Sequence, residues 1–320
     1  MSLEFLMPKI LVLGSLNIDF VYEVPHFLQP GETLSSLSRN VYAGGKGLNQ
    51  AVALAKAGGD VYFGGAIGKE QGEILLNVLQ ENKINTNFLK VRPDIPCGHT
   101  FIQVDTNGQN CILLYGGANQ SLQEQEIDEC LSFFQKGDYV VVQNETNLVG
   151  YIITKAHALG LKVVMNVSPL SESIKELPLD LCHMLIVNEI EGSTLVNLSA
   201  SDEPKAILKG LIERFANSII VLTLGKEGSI AGAKHLNDVY RCSSFKVEAV
   251  DTTAAGDTFL GYVVCHDSAQ DPLEKALVCA TAASALAVGK AGATPSIPLN
   301  SQVDEFLAKH GEPQHSKENW

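Results

Sequence analysis

Two short stretches of this sequence combine glycine, other small residues and polar side chains in a pattern suited to chemistry on a hydroxyl group. The later one reads Asp251-Thr252-Thr253-Ala254-Ala255-Gly256-Asp257-Thr258-Phe259. Small residues let a backbone approach a ligand closely, and their N–H groups at a helix start form an anion site. A carboxylate at Asp257 can take a proton from a hydroxyl while those N–H groups hold the charge that develops. An Asp at a helix start is also an ordinary cap, so the stretch alone leaves both readings open. A strand end is expected before it, and an apolar helix from Phe259 after it.

The earlier stretch is Ala43-Gly44-Gly45-Lys46-Gly47-Leu48-Asn49-Gln50, opening a helix expected to reach about Ala57. Lys46 is followed by Gly47 instead of Ser or Thr, and no glycine stands five residues before Gly45. It is therefore not a Walker phosphate loop. Its glycines can instead offer N–H groups to a polar ligand, with Lys46 and Asn49 adding side-chain bonds.

Further polar residues follow apolar runs of strand length. Asn17 and Asp19 come just after Lys9–Gly14, and Asn144-Glu145 closes Asp138–Gln143. Asn188 and Glu191 follow Met184–Val187, where Asn-x-x-Glu reads as a capping box or as an organiser of metal and phosphate. Thr223-Leu224-Gly225-Lys226-Glu227-Gly228 ends the strand from Ser218 with a Gly-x-x-Gly turn that can cradle nucleotide phosphates.

The elements that must position these groups alternate between strand and helix over most of the chain. That grammar predicts an α/β fold with a mainly parallel sheet covered by helices on both faces. Such connections put the carboxyl ends of the strands on one edge, so the polar residues above converge there. From Asn87 to Gly117 the pattern changes to short strands alone. Gly98–Val104 and Asn110–Leu114 form a hairpin around Asn107-Gly108 and, with residues 32–42, predict a small separate sheet. Such a flap covers a site or pairs with its copy in a dimer; His99 and Phe101 are expected to pack the flap first, with facing the ligand as the alternative, and with Tyr42 they bear on the shape of any pocket. A long Ala-rich helix is expected from Pro272 to Val288, and a frayed polar tail from Gly311 to Trp320.

Composition narrows the partners. The 320 residues are 45% hydrophobic and 18% charged, as in a soluble protein with a sizeable core. A net charge of -13 argues against nucleic acid and anionic membrane surfaces. No apolar run reaches the roughly 18 residues of a membrane span, and we expect neither a signal peptide nor membrane association. The seven cysteines are scattered without a Cys-x-x-Cys pair, which points to free thiols in the cytoplasm and away from a zinc site. A nicotinamide enzyme would need G-x-G-x-x-G after the first strand, where Gly14-Ser15-Leu16-Asn17 stands.

Both glycine-rich stretches resemble the two signatures of the PfkB carbohydrate kinase family, in its ribokinase branch, and the likeness runs from about residue 9 to 308. The resemblance implies a ribokinase-like three-layer α/β/α core with a small β-sheet lid. It further implies a single kinase domain over 1–320, whose lid strands come from about 32–42 and 88–117, and a homodimer formed through the lid. It implies transfer of the ATP γ-phosphoryl group to a primary hydroxyl, with ribose first among sugars and another pentose, deoxyribose, a hexose or a nucleoside as alternatives. By resemblance Asp257 is the base, and Ala254, Ala255 and Gly256 supply the anion hole. Asn17, Asp19, Gly45, Lys46, Asn49 and Glu145 match sugar-binding positions. Asn188 and Glu191 match the motif arranging Mg²⁺ and phosphate, Thr223, Gly225 and Gly228 the nucleotide loop, and Thr281 the adenine pocket. Asp251, Thr252, Ala287, Lys290, Gly292 and Ser296 match a K⁺ loop built mostly of backbone oxygens. Asn144 beside Glu145 departs from the small or apolar neighbour expected there, which leaves the sugar open. A non-catalytic sugar-binding regulator on the same fold is the reading from a different class; an intact base and anion hole argue against it.

Overall fold

A computed structural model describes residues 7–236 and 238–319. In chain order the strands are β1 (Lys9–Leu13), β2 (Asn17–Glu23), β3 (Ser38–Gly44), β4 (Asp60–Gly68), β5 (Asn85–Arg92), β6 (Gly98–Val104) and β7 (Asn110–Tyr115). They continue with β8 (Tyr139–Gln143), β9 (Lys162–Asn166), β10 (Met184–Asn188), β11 (Ile219–Thr223), β12 (Ser229–Gly232), β13 (Asp238–Cys242) and β14 (His315–Asn319). The helices are α1 (Lys46–Lys56), α2 (Gly72–Glu81), α3 (Glu124–Leu131), α4 (Val149–Ala158), α5 (Glu189–Leu195), α6 (Pro204–Arg214), α7 (Ala255–Ser268), α8 (Leu273–Val288) and α9 (Asn300–His310).

The main sheet runs β14-β13-β12-β11-β10-β9-β8-β1-β4-β5. It is parallel from β11 to β5 and antiparallel beyond β11. The apolar run at β1 is explained by burial on both faces. Ile10 and Val12 join a core shared with α1, α7 and α8, while Leu11 and Leu13 join the core under α3, α4 and α6. Helices α1 and α7 lie unusually close, for a Cβ on Gly261 would come within 2.4 Å of the Ala53 methyl. That approach sets the start of α1 beside the start of α7. No helix among the described residues is long and apolar enough to cross a membrane.

The second sheet, ordered β3-β2-β6-β7, stands apart as the expected lid. Several expectations need correcting. Asn17 and Asp19 share a face as alternation requires, but they begin β2 inside the lid instead of ending β1. The lid thus takes its strands from 17–23, 38–44, 98–104 and 110–115; residues 32–37 are not strand, and β5 pairs with β4 in the main sheet. His99 and Phe101 pair with Ile18 and Phe20, so they lie on the lid face opposite Asp19 and stack with Phe20 instead of facing a ligand. The polar tail is not frayed over its described part, because β14 pairs with β13 along five residues; Trp320 lies outside the described residues. The stretch before Asp251 is not a strand end either, as β13 stops at Cys242.

At the opposite edge of the sheet from the lid, the Asp267 carboxylate accepts from Tyr139 Oη and lies against His183 Nε2, each at 2.8 Å, and Lys162 Nζ donates to Tyr139 Oη at 2.8 Å. Burial works to raise the Asp267 carboxyl, but His183, Tyr139 and Lys162 outweigh it and hold it below the usual range. Asp267→Ala is expected to cost about 3 kcal/mol in urea denaturation at pH 7, since it orphans several buried partners. A depressed carboxyl stabilises above the unfolded value of about 3.9, and that contribution is lost as pH falls through the folded value. The gap between wild type and variant should therefore narrow below about pH 4.

Candidate active site

The strand ends open onto a cleft of about 210 Å³. Lys46, Asn188, Glu191, Thr223, Thr252, Ala254, Gly256 and Asp257 line it, joined by Asn166 and Ser168. Asp257 sits in the first turn of α7 and is 8% exposed. Ala254 precedes that helix with φ of 60°, which turns the chain sharply into the first turn. Asp257 caps nothing: its Oδ2 accepts from Asn49 Nδ2 at 3.0 Å and its Oδ1 from Gln50 Nε2 at 2.9 Å. Its carboxylate is therefore aimed by side chains from α1, as the close packing of α1 on α7 allows. Of the three N–H groups expected to form an anion hole, that of Ala255 donates to the Thr252 carbonyl at 3.3 Å, while Ala254 and Gly256 line the cleft.

A second polar group adjoins the first. Gly45, with φ of 95°, starts α1 and turns the Lys46 N–H toward Glu145 Oε2 at 3.2 Å. Ser15 Oγ donates to the same Glu145 oxygen and accepts from Gly47 N at 3.2 Å. Burial pushes the Glu145 carboxyl up, against Ser15 and Lys46, and the negative charge of Asp257 adds to the rise. On the lid, Thr100 Oγ1 donates to Asp19 Oδ1 at 2.6 Å. Burial raises Asp19 to about 6 despite that bond, with the charge of Glu145 adding to it. Asn17 is buried, and its Oδ1 accepts from Asn119 Nδ2 at 2.8 Å, which leaves its own amide N–H groups for a ligand. Two crowded carboxylates and an amide donor at one mouth suit a ligand with several hydroxyls, because each hydroxyl can donate to a carboxylate and accept from an amide.

Asn188 and Glu191 bear out the capping-box reading of Asn-x-x-Glu. They form a capping box on α5, Asn188 Oδ1 accepting from Glu191 N at 2.9 Å and Glu191 Oε2 from Asn188 N at 3.0 Å. Both also line the cleft, with Glu191 Oε1 outside the box. Thr223 lines the cleft too, but Gly225 and Gly228 lie outside its lining. Gly228 answers to packing, since a Cβ there would fall 2.0 Å from the Cys242 carbonyl oxygen. Thr281 is buried in α8, its Oγ1 3.4 Å from Cys242 Sγ, and also lies outside the cleft lining.

Asp251, Ala287, Lys290, Gly292 and Ser296 gather in a separate set of turns behind the start of α7. Asp251 Oδ1 accepts from Thr253 N and Oδ2 from Gly292 N, each at 2.9 Å. Burial favours a higher value, but the Thr253 and Gly292 donors prevail and hold this carboxyl below its usual range. The Ala287 carbonyl accepts from Lys290 N at 3.1 Å, and Ser296 Oγ donates to the Ala293 carbonyl at 2.8 Å. Lys56 Nζ reaches the same turns and donates to the carbonyls of Thr294 and Ile297 at 3.2 and 2.8 Å.

Sequence reasoning missed Ser15, Gln50, Thr100, Asn119, Asn166 and Ser168. Asn166 ends β9 just as Asn188 ends β10, so the same strand-end rule could have found it. Gln50 stood in the quoted stretch, but nothing in one dimension shows that it turns back onto Asp257. Asn144 is accounted for: its amide donates to Pro169 O at 2.8 Å and Ser171 Oγ at 2.9 Å, away from the site.

Residues 7–300 match the pfkB family carbohydrate kinase profile. A ribokinase of Haemophilus influenzae is 35% identical over 300 residues, covering 92% of this chain and 97% of its own length. The crystal structure of ribokinase from Cryptococcus neoformans var. grubii in complex with ADP superposes with a TM-score of 0.83 at 33% identity, over 94% of this chain and all of that one (100%). Arabidopsis thaliana ribokinase complexed with ribose and ATP gives a TM-score of 0.85 at 26% identity, over 94% and 99% of the two chains. The expected three-layer core and lid are those of these structures, and the chain belongs to the pfkB family of carbohydrate kinases.

Proposed function

We propose that this protein transfers the γ-phosphoryl group of ATP to the primary hydroxyl of D-ribose, giving D-ribose 5-phosphate. The observation that carries the reading is the Asp257 carboxylate, held through both oxygens at the floor of a cleft lined by the first turn of α7. Asp257 takes the hydroxyl proton, and the N–H groups at the α7 start hold the developing charge. Asn17, Asp19, Gly45, Lys46, Asn49 and Glu145 bind the sugar, as their shared mouth supports. The nucleotide lies along the ends of β10 and β11, at Asn188 and Thr223. The relatives named ribokinase, and the ribose and ATP bound in one of them, support this choice of sugar and donor.

Two ions fit the residues present. Glu191 keeps an oxygen outside its capping box, so it can arrange the waters of a Mg²⁺ that would neutralise phosphate charge. An ionised Asp251 among backbone carbonyls is a hard-oxygen donor set suited to K⁺, which would brace the turn leading into α7. The chain works as one kinase domain in the cytoplasm. A second copy of it covers the lid, where Val41, Tyr42, Phe101, Ile112, Leu113, Leu114 and Tyr115 are all exposed and β7 offers a free edge.

The test is a panel of sugars and nucleosides assayed for ADP release in the presence of Mg²⁺ and K⁺. Ribose is expected to give the highest kcat/KM; preference for deoxyribose, a hexose or a nucleoside would reassign the substrate. Sugar binding without ATP turnover would point to a regulator instead. Exchange of K⁺ for a large organic cation should lower the rate, and an unchanged rate would refute the K⁺ assignment.

A further inference from the structure

We infer that Gln50 is a positioning residue for the base, and that Gln143 acts through it by locking its amide the right way round. Gln50 and Gln143 are both fully buried. An ionised carboxylate only accepts, so the Gln50 amide must turn its nitrogen toward Asp257 Oδ1, 2.9 Å away. Its other N–H donates to Asn166 Oδ1 at 3.2 Å. Gln50 Oε1 then faces β8, where Gln143 Nε2 donates to it at 2.7 Å. Gln143 Oε1 is left toward Gly14, where a Cβ would fall 2.2 Å from it, so only glycine makes room for this arrangement. Both N–H groups and the oxygen of Gln50 are engaged, and the amide cannot flip without setting an oxygen against the carboxylate.

The arrangement serves proton transfer through geometry. It fixes the carboxylate plane, with Asn49 holding the other oxygen at 3.0 Å. The charged groups facing Asp257 are Lys46 from α1, Glu145 beyond β8 and Glu191 from α5, and all remain in the variants below. The chain Gln143–Gln50–Asp257 also ties the base to the strand that carries Glu145.

The inference rests on the kinase reading above, and the experiment separates the two. Wild-type protein that phosphorylates no sugar would end the kinase reading, whereas the variants speak only to Gln50. For Gln50→Leu, kcat is expected to fall about 10- to 100-fold, a share of what a positioned base supplies. KM for ribose and for ATP should stay within about 3-fold, so that the loss falls on kcat alone. Gln50→Glu should cost more, because it sets a like charge against the base in place of a donor. Gln143→Leu should produce a smaller loss of the same kind, and the double variant Gln50→Leu/Gln143→Leu should be no slower than Gln50→Leu alone. If Gln50→Leu does not fold, the kcat loss in Gln143→Leu still decides, since that variant keeps Gln50. An unchanged kcat, a KM rise that accounts for the loss, or additive losses in the double variant would overturn the inference.

Discussion

Asp257→Asn is expected to lower kcat by at least about 10²-fold, the lower end of what a positioned base contributes, while ATP still binds. The amide is isosteric, so the cleft keeps its shape and only the chemistry changes. Two effects act together. The side chain can no longer take a proton from the sugar hydroxyl. One of its two former acceptor positions also becomes an NH₂ group facing Asn49 Nδ2 or Gln50 Nε2, donors that sit at 3.0 and 2.9 Å in the wild type. Asp257→Ala should lose as much rate and release both amides. Steady-state kinetics with saturating sugar gives the rate, and calorimetric titration with ATP checks the nucleotide site. Near-normal turnover in either variant would sink the assignment of the base.

Gly44→Ala should reach the sugar from the other side. A Cβ on Gly44 would lie 1.9 Å from Asp19 Oδ2 and 2.7 Å from its Cγ. The Asp19 carboxylate must then swing away and give up its 2.6 Å bond from Thr100. Only the end of a side chain has to move, so the lid should still fold. Hydrogen bonds to a charged group contribute about 1.5–3 kcal/mol each, so displacing this carboxylate should lower kcat/KM for ribose roughly 10²-fold. KM for ATP should not change, because the proposed nucleotide contacts at Asn188 and Thr223 belong to the main sheet and not to the lid. A loss for the sugar matched by an equal loss for ATP would mean that the substitution disturbs the whole cleft, and the specific role of Asp19 would be withdrawn.

The main sheet was legible because burial on both faces leaves strands such as Ile10–Leu13 uniformly apolar, a signal that survives in one dimension. The convergence of Asn188 and Thr223 was legible for a related reason: parallel topology alone brings strand ends together. What was lost lies where the chain changes sheets. Nothing between Leu13 and Asn17 announces that β1 has ended and a lid strand begins, so Asn17 and Asp19 were assigned to the wrong element while keeping the right company. Gly228 shows the opposite failure. Its residue type suggested a phosphate loop, but one of its requirements is set by the Cys242 carbonyl, which the pairing of β12 with β13 brings against it. Gln50 and Asn119 went unnoticed because buried amides earn their importance from partners distant in sequence, at Asp257 and at Leu16 and Asn17.

The pairing of β14 with β13 has a consequence for how this protein behaves at high concentration. An outer strand with bare N–H and C=O groups invites another sheet to add to it, and charged side chains on that strand discourage the addition. Here the outermost position is held by His315-Ser316-Lys317-Glu318-Asn319, with Lys317 Nζ 2.8 Å from Asp238, and the more apolar Val239-Tyr240 pair of β13 sits one strand inward. Strand β14 therefore covers the backbone edge of β13 with charged and polar side chains. A change that pulls β14 off the sheet is expected to bare that edge and favour self-association of a kind unrelated to the lid.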